Sequence, residues 1–432
     1  MILRHILKKA GQTPFPDTIT LTQKLIRAKS ITPNPGATFE ILAPLLQSLG
    51  FTTHTQSIQN VTNFFAVREL RSNVKKTSAQ KPIPHLLFLG HTDVVPADEK
   101  TWRHPPFSGH LENNILWGRG AADMKGAIAA FVCATQRYLS NLSTETLAHP
   151  CILSILLTSD EEGEALYGTK AMLAHIQKNE KTFFKKTGTF RPTFCLVGEP
   201  SSRNTVGDTI KRGRRGSLTG KLTVFGERGH SAYPSHGKNP LPRLLRTLNA
   251  LLGDIKTTCE GELDAGYKDK DGTQIFEPSK LTLTGIESPF VATNVTPEIA
   301  TAFFSIRFNP NTTGTALKQK IEKTAQKNAG KHGLDIKING EPYLTCNTQS
   351  LELVRNAVIE SLQASGKNIT PKFCTSGGTS DGRFVAHLCP TVELGLSSRT
   401  IHQVNECVTV DDLNILEAHY VHVLKAFYKK NP

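Results

Sequence analysis

The chain has 432 residues, 38% apolar and 20% charged, with a formal net charge of +14 at pH 7. It is too long for one small core, so two domains are expected, and no apolar stretch approaches the ~20 residues that span a bilayer. The basic balance comes without zinc-finger spacing or an RNA-recognition signature. It therefore points to a solvated surface that steers an anionic small-molecule substrate, with no nucleic acid or membrane partner.

The eight cysteines are scattered with no C-x-x-C pair, which fits buried free thiols in a reducing cytoplasm. The N-terminus, M-I-L-R-H-I-L-K-K-A, is basic but lacks the apolar core and small-residue cleavage site of a secretory signal.

Taken in order, residues 21–28 and 38–49 have helical spacing, with Pro44 an awkward residue inside the second run. Residues 51–57 and 64–68 read as strands, and 72–82 as a polar surface loop. Next comes P-H-L-L-F-L-G-H-T-D-V-V-P, from Pro84 to Pro96. Its apolar run 86–89 suits a strand buried on both faces, and His91 and Asp93 follow it. A Gly-punctuated stretch then leads to Asp123 and an Ala-rich helix over 127–139. A strand over 152–157 ends in T-S-D-E-E-G, a helix covers 169–178, and a strand over 193–197 ends in V-G-E-P. Three apolar strands thus run into His91 and Asp93, Glu161 and Glu162, and Glu199. Intervening helices make them parallel, with those termini on one sheet edge.

Beyond Gly213 the pattern changes. A strand begins near Leu218, a helix spans 240–252, strands cover 280–285 and 299–308, a charged helix covers 314–331, and a strand over 334–338 closes the set. This order is βαββαβ, the split βαβ arrangement of a ferredoxin-like α+β domain, interrupted by a polar insertion at 259–278. From about residue 340 the first domain resumes, with a helix over 350–364, a strand over 391–396 and a last helix near Asp411. The expected organisation is a catalytic domain over 1–213 and 341–432, with an inserted domain over 214–340. The expected fold class is α/β, a mainly parallel mixed sheet flanked by helices.

His91, Asp93, Asp123, Glu161, Glu162, Glu199 and His402 all stand at strand ends or in loops. Two imidazoles and several carboxylates without a thiolate describe an N/O metal site, with zinc the default and cobalt or manganese as substitutes. The number of donors favours two ions. One would take His91 and Glu199, the other His402 and Glu162, with Asp123 bridging. Three carboxylates and a bridging hydroxide would then neutralise two divalent cations. Glu161 and Glu162 are adjacent and face opposite ways in extended chain, so one ligates and the other is free to act as general base. Asp93, two residues from His91, is placed to hold the second imidazole nitrogen.

The motifs G-H-T-D-V-V-P, G-R-G-A-A-D-M-K-G, T-S-D-E-E-G and V-G-E-P-S-S closely resemble a dizinc metallohydrolase family that includes acetylornithine deacetylase, aminoacylases and carboxypeptidases. G-R-R-G-S, G-G-T-S-D-G-R-F and H-Q-V-N-E-C-V resemble its desuccinylase branch, and the likeness runs from about Ile19 to the end. It implies a zinc-peptidase-like catalytic domain whose inserted domain makes a homodimer. It implies two zinc ions per subunit, with cobalt as a substitute. Their ligands would be His91, Asp123 and Glu199 on one ion, and Asp123, Glu162 and His402 on the other. Glu161 would be the base and Asp93 would orient His91. It also implies that His230 crosses the dimer to steady the oxyanion, and that Arg214, Asn294, Arg307, Gly378 and Thr379 hold the substrate. The implied reaction is hydrolysis of N-succinyl-LL-2,6-diaminopimelate, with N-deacylation of the acetylornithine type as the alternative. Ser398-Arg399 departs from the branch, where an Asn is usual.

Overall fold

A computed structural model of the chain describes residues 14–70, 83–142, 150–233, 238–252 and 261–430. The expected loop at 72–82, most of the N-terminal extension and the first residues of the 259–278 insertion lie outside them. The chain forms two compact units, Gly213–Leu344 with Cys374–Arg383, and the remainder.

The larger unit is built on an eight-stranded sheet. At its centre Cys151–Thr158, His85–His91, Phe194–Val197 and Thr391–Glu393 lie side by side and parallel. Antiparallel strands flank them, Val61–Leu70 and Thr52–Ile58 on one side and Thr209–Lys211 on the other. Every residue of His85–His91 and Cys151–Thr158 is buried, which explains why these segments read as unbroken apolar runs. Successive side chains go to opposite faces. Phe88 stacks on Phe131 of the helix Gly126–Ser140 at 4.0 Å, while Leu87 and Leu89 join Phe184, Phe190 and Met172 on the other side.

Register then fixes what the strand ends share. His91 pairs with Thr158 and Leu89 with Val197, so the three segments finish at one sheet edge, the third two residues short of the others. The strand expected over 391–396 stops at Glu393. Beyond it, Gly395 bonds through its N–H and carbonyl to the Ser201 and Ser202 hydroxyls instead of to a neighbouring strand. Pro44 sits within the helix Thr38–Ser48, which persists because Phe39, Leu42 and Leu46 bury one face.

Helix Val410–Lys430 carries a buried histidine, His419. Its Nε2 faces the Val206 carbonyl at 3.1 Å and so donates, leaving Nδ1 to accept from Ser361 Oγ at 2.9 Å. Gly207 makes room for the ring: its φ is +88°, and a Cβ there would meet Nε2 at 2.4 Å. Burial pushes the His419 pKa down from 6.5 to about 4, partly offset by the Val206 hydrogen bond. The ring is neutral when folded and binds a proton more readily when unfolded. Stability is therefore complete above pH ~6.5 and is lost as pH falls toward ~4, by on the order of 3 kcal/mol. Urea titrations of the metal-free protein across that window are expected to show this acid limb. His419→Gln should flatten it.

In the smaller unit the sheet order is Gly261–Glu262, Lys280–Glu287, Ile299–Phe308, Gly216–Phe225, His332–Gly340, all antiparallel. Helices Pro240–Leu252 and Gly314–Asn328 supply Leu244, Leu248, Leu317 and Ile321 to the core, against Leu218, Leu222 and Phe304. The four long strands keep the split βαβ order. This unit also takes in Cys374–Arg383, which the expected boundaries left in the first domain. The reason is local bonding: Thr375 Oγ1 donates to the Ile275 carbonyl, and Arg214 Nη1 donates to that of Gly378. The insertion holds a short hairpin, Tyr267–Lys268 with Gln274–Phe276.

Candidate metal centre

The strand ends and the loops of Asp123 and His402 bring the candidate ligands into one cluster. His91 Nδ1 lies 3.0 Å from the backbone carbonyl of Asp93. A carbonyl only accepts, so Nδ1 carries a proton, which leaves Nε2 as the nitrogen that would face an ion. Nε2 is 3.2 Å from Asp123 Oδ1 and 3.5 Å from Glu199 Oε1. On the other side His402 Nε2 is 2.9 Å from Glu162 Oε1 and 3.5 Å from Asp123 Oδ2. Asp123 thus offers one oxygen to each imidazole. Glu161 also brings a carboxylate oxygen within 4.8 Å of ligand atoms of His91 and Glu199. His402 adopts φ +59° in its loop, a left-handed conformation costing a non-glycine residue about 1 kcal/mol, which its contacts to Glu162 and Asp123 must offset.

Asp93 supports the cluster differently from expectation. Its carboxylate is 3.6 Å from His91 Nδ1, farther than its own backbone carbonyl. The carboxylate instead accepts the N–H groups of Glu161 (3.4 Å) and Glu162 (3.1 Å). It therefore positions the two glutamates as well as the imidazole. Ser398 and Arg399 bond locally, Ser398 N to the Ser202 carbonyl and Arg399 Nε to Ser397 Oγ.

Glu406, quoted in a motif but given no role from the sequence, organises the Asp123 loop. Fully buried, it accepts the N–H groups of Gly120, Ala122 and Asp123 and pairs with Arg119 Nη1 at 2.9 Å. Gly120 sits at φ +85°, and a Cβ there would meet Val94 at 2.7 Å. Lys125 is buried nearby, and its ammonium has no hydrogen-bond partner among the described residues. Burial lowers its pKa from 10.5 to about 7, with Glu406 and Asp93 opposing. Only the fold shows these residues, because nothing in their spacing separates a loop anchor from a surface charge. Glu406→Gln is expected to weaken metal affinity by roughly 10–100-fold, measured by competition with a chromophoric chelator.

The charge of the site calls for cations. Burial works to lower the His91 pKa, yet hydrogen bonds to Asp123 and Glu199, and their charges, raise it well above 6.5. His402 is raised first by its bond to Glu162. Donor atoms spaced 2.9–3.5 Å apart also match the separation of about 3.3 Å between ligands held ~2 Å from a tetrahedral ion.

The smaller unit gathers a second set. His230 Nδ1 accepts the Ala232 N–H at 3.1 Å, and the amide nitrogen of Asn294 lies 3.4 Å from its Nε2. Arg214 is buried and bonded to Gly378, with Thr379 the next residue. Burial, then the charge of Arg215, lowers the Arg307 pKa.

The sequence matches Peptidase family M20/M25/M40 over residues 87–426. The chain belongs to this family. As an M20 chain it is a hydrolase of a metal-dependent family, and it carries residues that could hold a metal ion. It is 40% identical over 419 residues to the succinyl-diaminopimelate desuccinylase of Maricaulis maris, covering 96% of each chain. It is 40% identical over 413 residues to that of Acidiphilium cryptum, covering 96% of this chain and 99% of the other. The M20 fold is shared with the metallo-carboxypeptidase Sso-CP2 of Sulfolobus solfataricus, at TM-score 0.71 and 19% identity over 96% and 99% of the two chains. It is shared too with the Bacillus subtilis YXEP protein, a dinuclear metal binding peptidase, at TM-score 0.61 and 12% identity over 95% and 96%.

Proposed function

We propose that this chain hydrolyses N-succinyl-LL-2,6-diaminopimelate to succinate and LL-2,6-diaminopimelate, in the cytoplasm, as a homodimer with two zinc ions per subunit. The observation that carries this reading is its 40% identity to succinyl-diaminopimelate desuccinylases across nearly the full length of both chains. No helix among the described residues is long and apolar enough to cross a membrane.

His91, Asp123 and Glu199 would hold one ion, and Asp123, Glu162 and His402 the other. The ions, when bound, would polarise the scissile carbonyl and acidify water at the site. Glu161 takes a proton from the attacking water and delivers it to the leaving nitrogen as the C–N bond breaks. Asp93 holds the Nδ1 proton of His91 through its backbone carbonyl, which aims Nε2 at the site, and its carboxylate fixes the backbone of the two glutamates. His230 donates from Nε2 to the oxyanion, reaching from the partner subunit. Arg214 and Arg307 pair with substrate carboxylates, while Asn294, Gly378 and Thr379 hold its polar groups.

The test is chelation followed by zinc restoration, with turnover of the succinylated substrate compared against N-acetylornithine. Activity is expected to vanish and return with zinc, and kcat/KM for the succinyl compound should exceed that for the acetyl compound by about 10²-fold or more. Preference for N-acetylornithine would overturn the substrate assignment.

A further inference from the structure

A separate group of donors stands on the small sheet that carries the ligand loops. This sheet pairs His110–Glu112 with Ile115–Trp117, and Ile115–Trp117 with Cys407–Thr409. His104, His110 and Glu112 each bring a donor atom within 4.8 Å of the others. His110 and Glu112 are two apart on one strand and so share a face. The His104 and His110 rings stack at 3.9 Å with planes 20° apart. Stacked imidazoles cannot both be charged without repulsion. His104 Nε2 is buried and makes no hydrogen bond among the described residues, although it faces Glu112 Oε2 at 3.6 Å. That spacing is one an ion bound by both would impose.

We propose that His104, His110 and Glu112 form a further metal site, distinct from the strand-end cluster, for a single borderline divalent cation such as zinc or copper(II). Two imidazoles and one carboxylate are the donor set such ions select, and three protein ligands leave a position for water. His104 is the fixed ligand, since only 18% of its side chain is exposed. His110 is exposed, and rotation about its side-chain torsions turns its ring edge toward the Nε2 of His104.

A competitor is already in place. Arg103 Nη2 lies 3.1 Å from Glu112 Oε2, and its guanidinium also sits over the Trp117 ring at 5.6 Å. An ion on Glu112 displaces Arg103 from the carboxylate, and the Trp117 face remains as its alternative seat. Trp117 is paired with both His110 and Cys407. Occupancy therefore braces the strands that lead into the Asp123 loop and out of the Glu406 loop, and its effect falls on stability, not on chemistry.

Equilibrium dialysis of the full chain against micromolar zinc, followed by elemental analysis, reads the site. The expected result is one zinc ion per chain fewer in His110→Gln and in Glu112→Gln than in the unmodified protein, with kcat unchanged. Arg103→Gln should bind that extra ion roughly threefold to tenfold more tightly. Circular dichroism verifies that each variant is folded. Copper(II) added to the zinc-loaded protein should give an EPR spectrum with imidazole nitrogen coupling that His110→Gln loses. Equal zinc uptake by all four proteins, or a copper spectrum unchanged in His110→Gln, overturns the proposal. Because a difference between variants is read, the number of ions at the strand ends does not enter.

Discussion

Glu161→Gln is expected to lower kcat by about 10²–10⁴-fold while leaving the metal content per chain and KM close to those of the unmodified enzyme. Glutamine keeps the size of the side chain and cannot accept a proton at neutral pH. The backbone contact is kept, because the Glu161 N–H bonds to Asp93 Oδ1 and the substitution leaves that N–H in place. Steady-state kinetics and elemental analysis on one preparation separate the two roles open to this residue. A base loses turnover and keeps its metals, whereas a ligand loses metals as well. The distinction matters because Glu161 also reaches toward His91 and Glu199. Loss of an ion in this variant, or an undiminished kcat, would remove Glu161 from its assigned part.

Asp123→Ala should have the larger effect, with activity falling by at least about 10³-fold and metal content dropping at both positions. The reason is geometric. Asp123 Oδ1 lies beside His91 and Oδ2 beside His402, so one truncation removes a ligand from each side. Glu199→Ala and Glu162→Ala should each remove one ion preferentially, which makes the three variants a set. Elemental analysis after desalting gives the occupancy. Retention of both ions in Asp123→Ala would show that the carboxylate does not bridge. Circular dichroism of the metal-free variant checks that it is folded, so that a loss of activity is read as loss of metal and not as unfolding.

The split between what was legible and what was not follows a physical line. Strands buried on both faces announce themselves as unbroken apolar runs, so 86–89, 152–157 and 193–197 were readable. The structure extends them to His85–His91 and Cys151–Thr158 and trims the third to Phe194–Val197. Two-residue pairs such as Gly213–Arg214 with Tyr343–Leu344 were not readable, since a strand that short carries no periodicity. The same holds for the three-stranded sheet of His110–Glu112, Ile115–Trp117 and Cys407–Thr409, whose partners lie far apart in the chain.

By itself the sequence determined the donor types, their position after apolar strands, and the change to split βαβ order near Gly213. Each of these depends on local composition and spacing. The donor set also suggested Asp123 as the bridge between His91 and His402. Tertiary structure alone decided that Asp93 holds the two glutamates by their N–H groups and that Glu406 anchors the Asp123 loop. It also decided that Cys374–Arg383 joins the smaller unit. The reason is range: a side chain's type is written at its own position, while its partner is chosen by strand register and by closures spanning hundreds of residues. Glu406 and Gly120 are 286 positions apart in the chain and 2.9 Å apart in the fold.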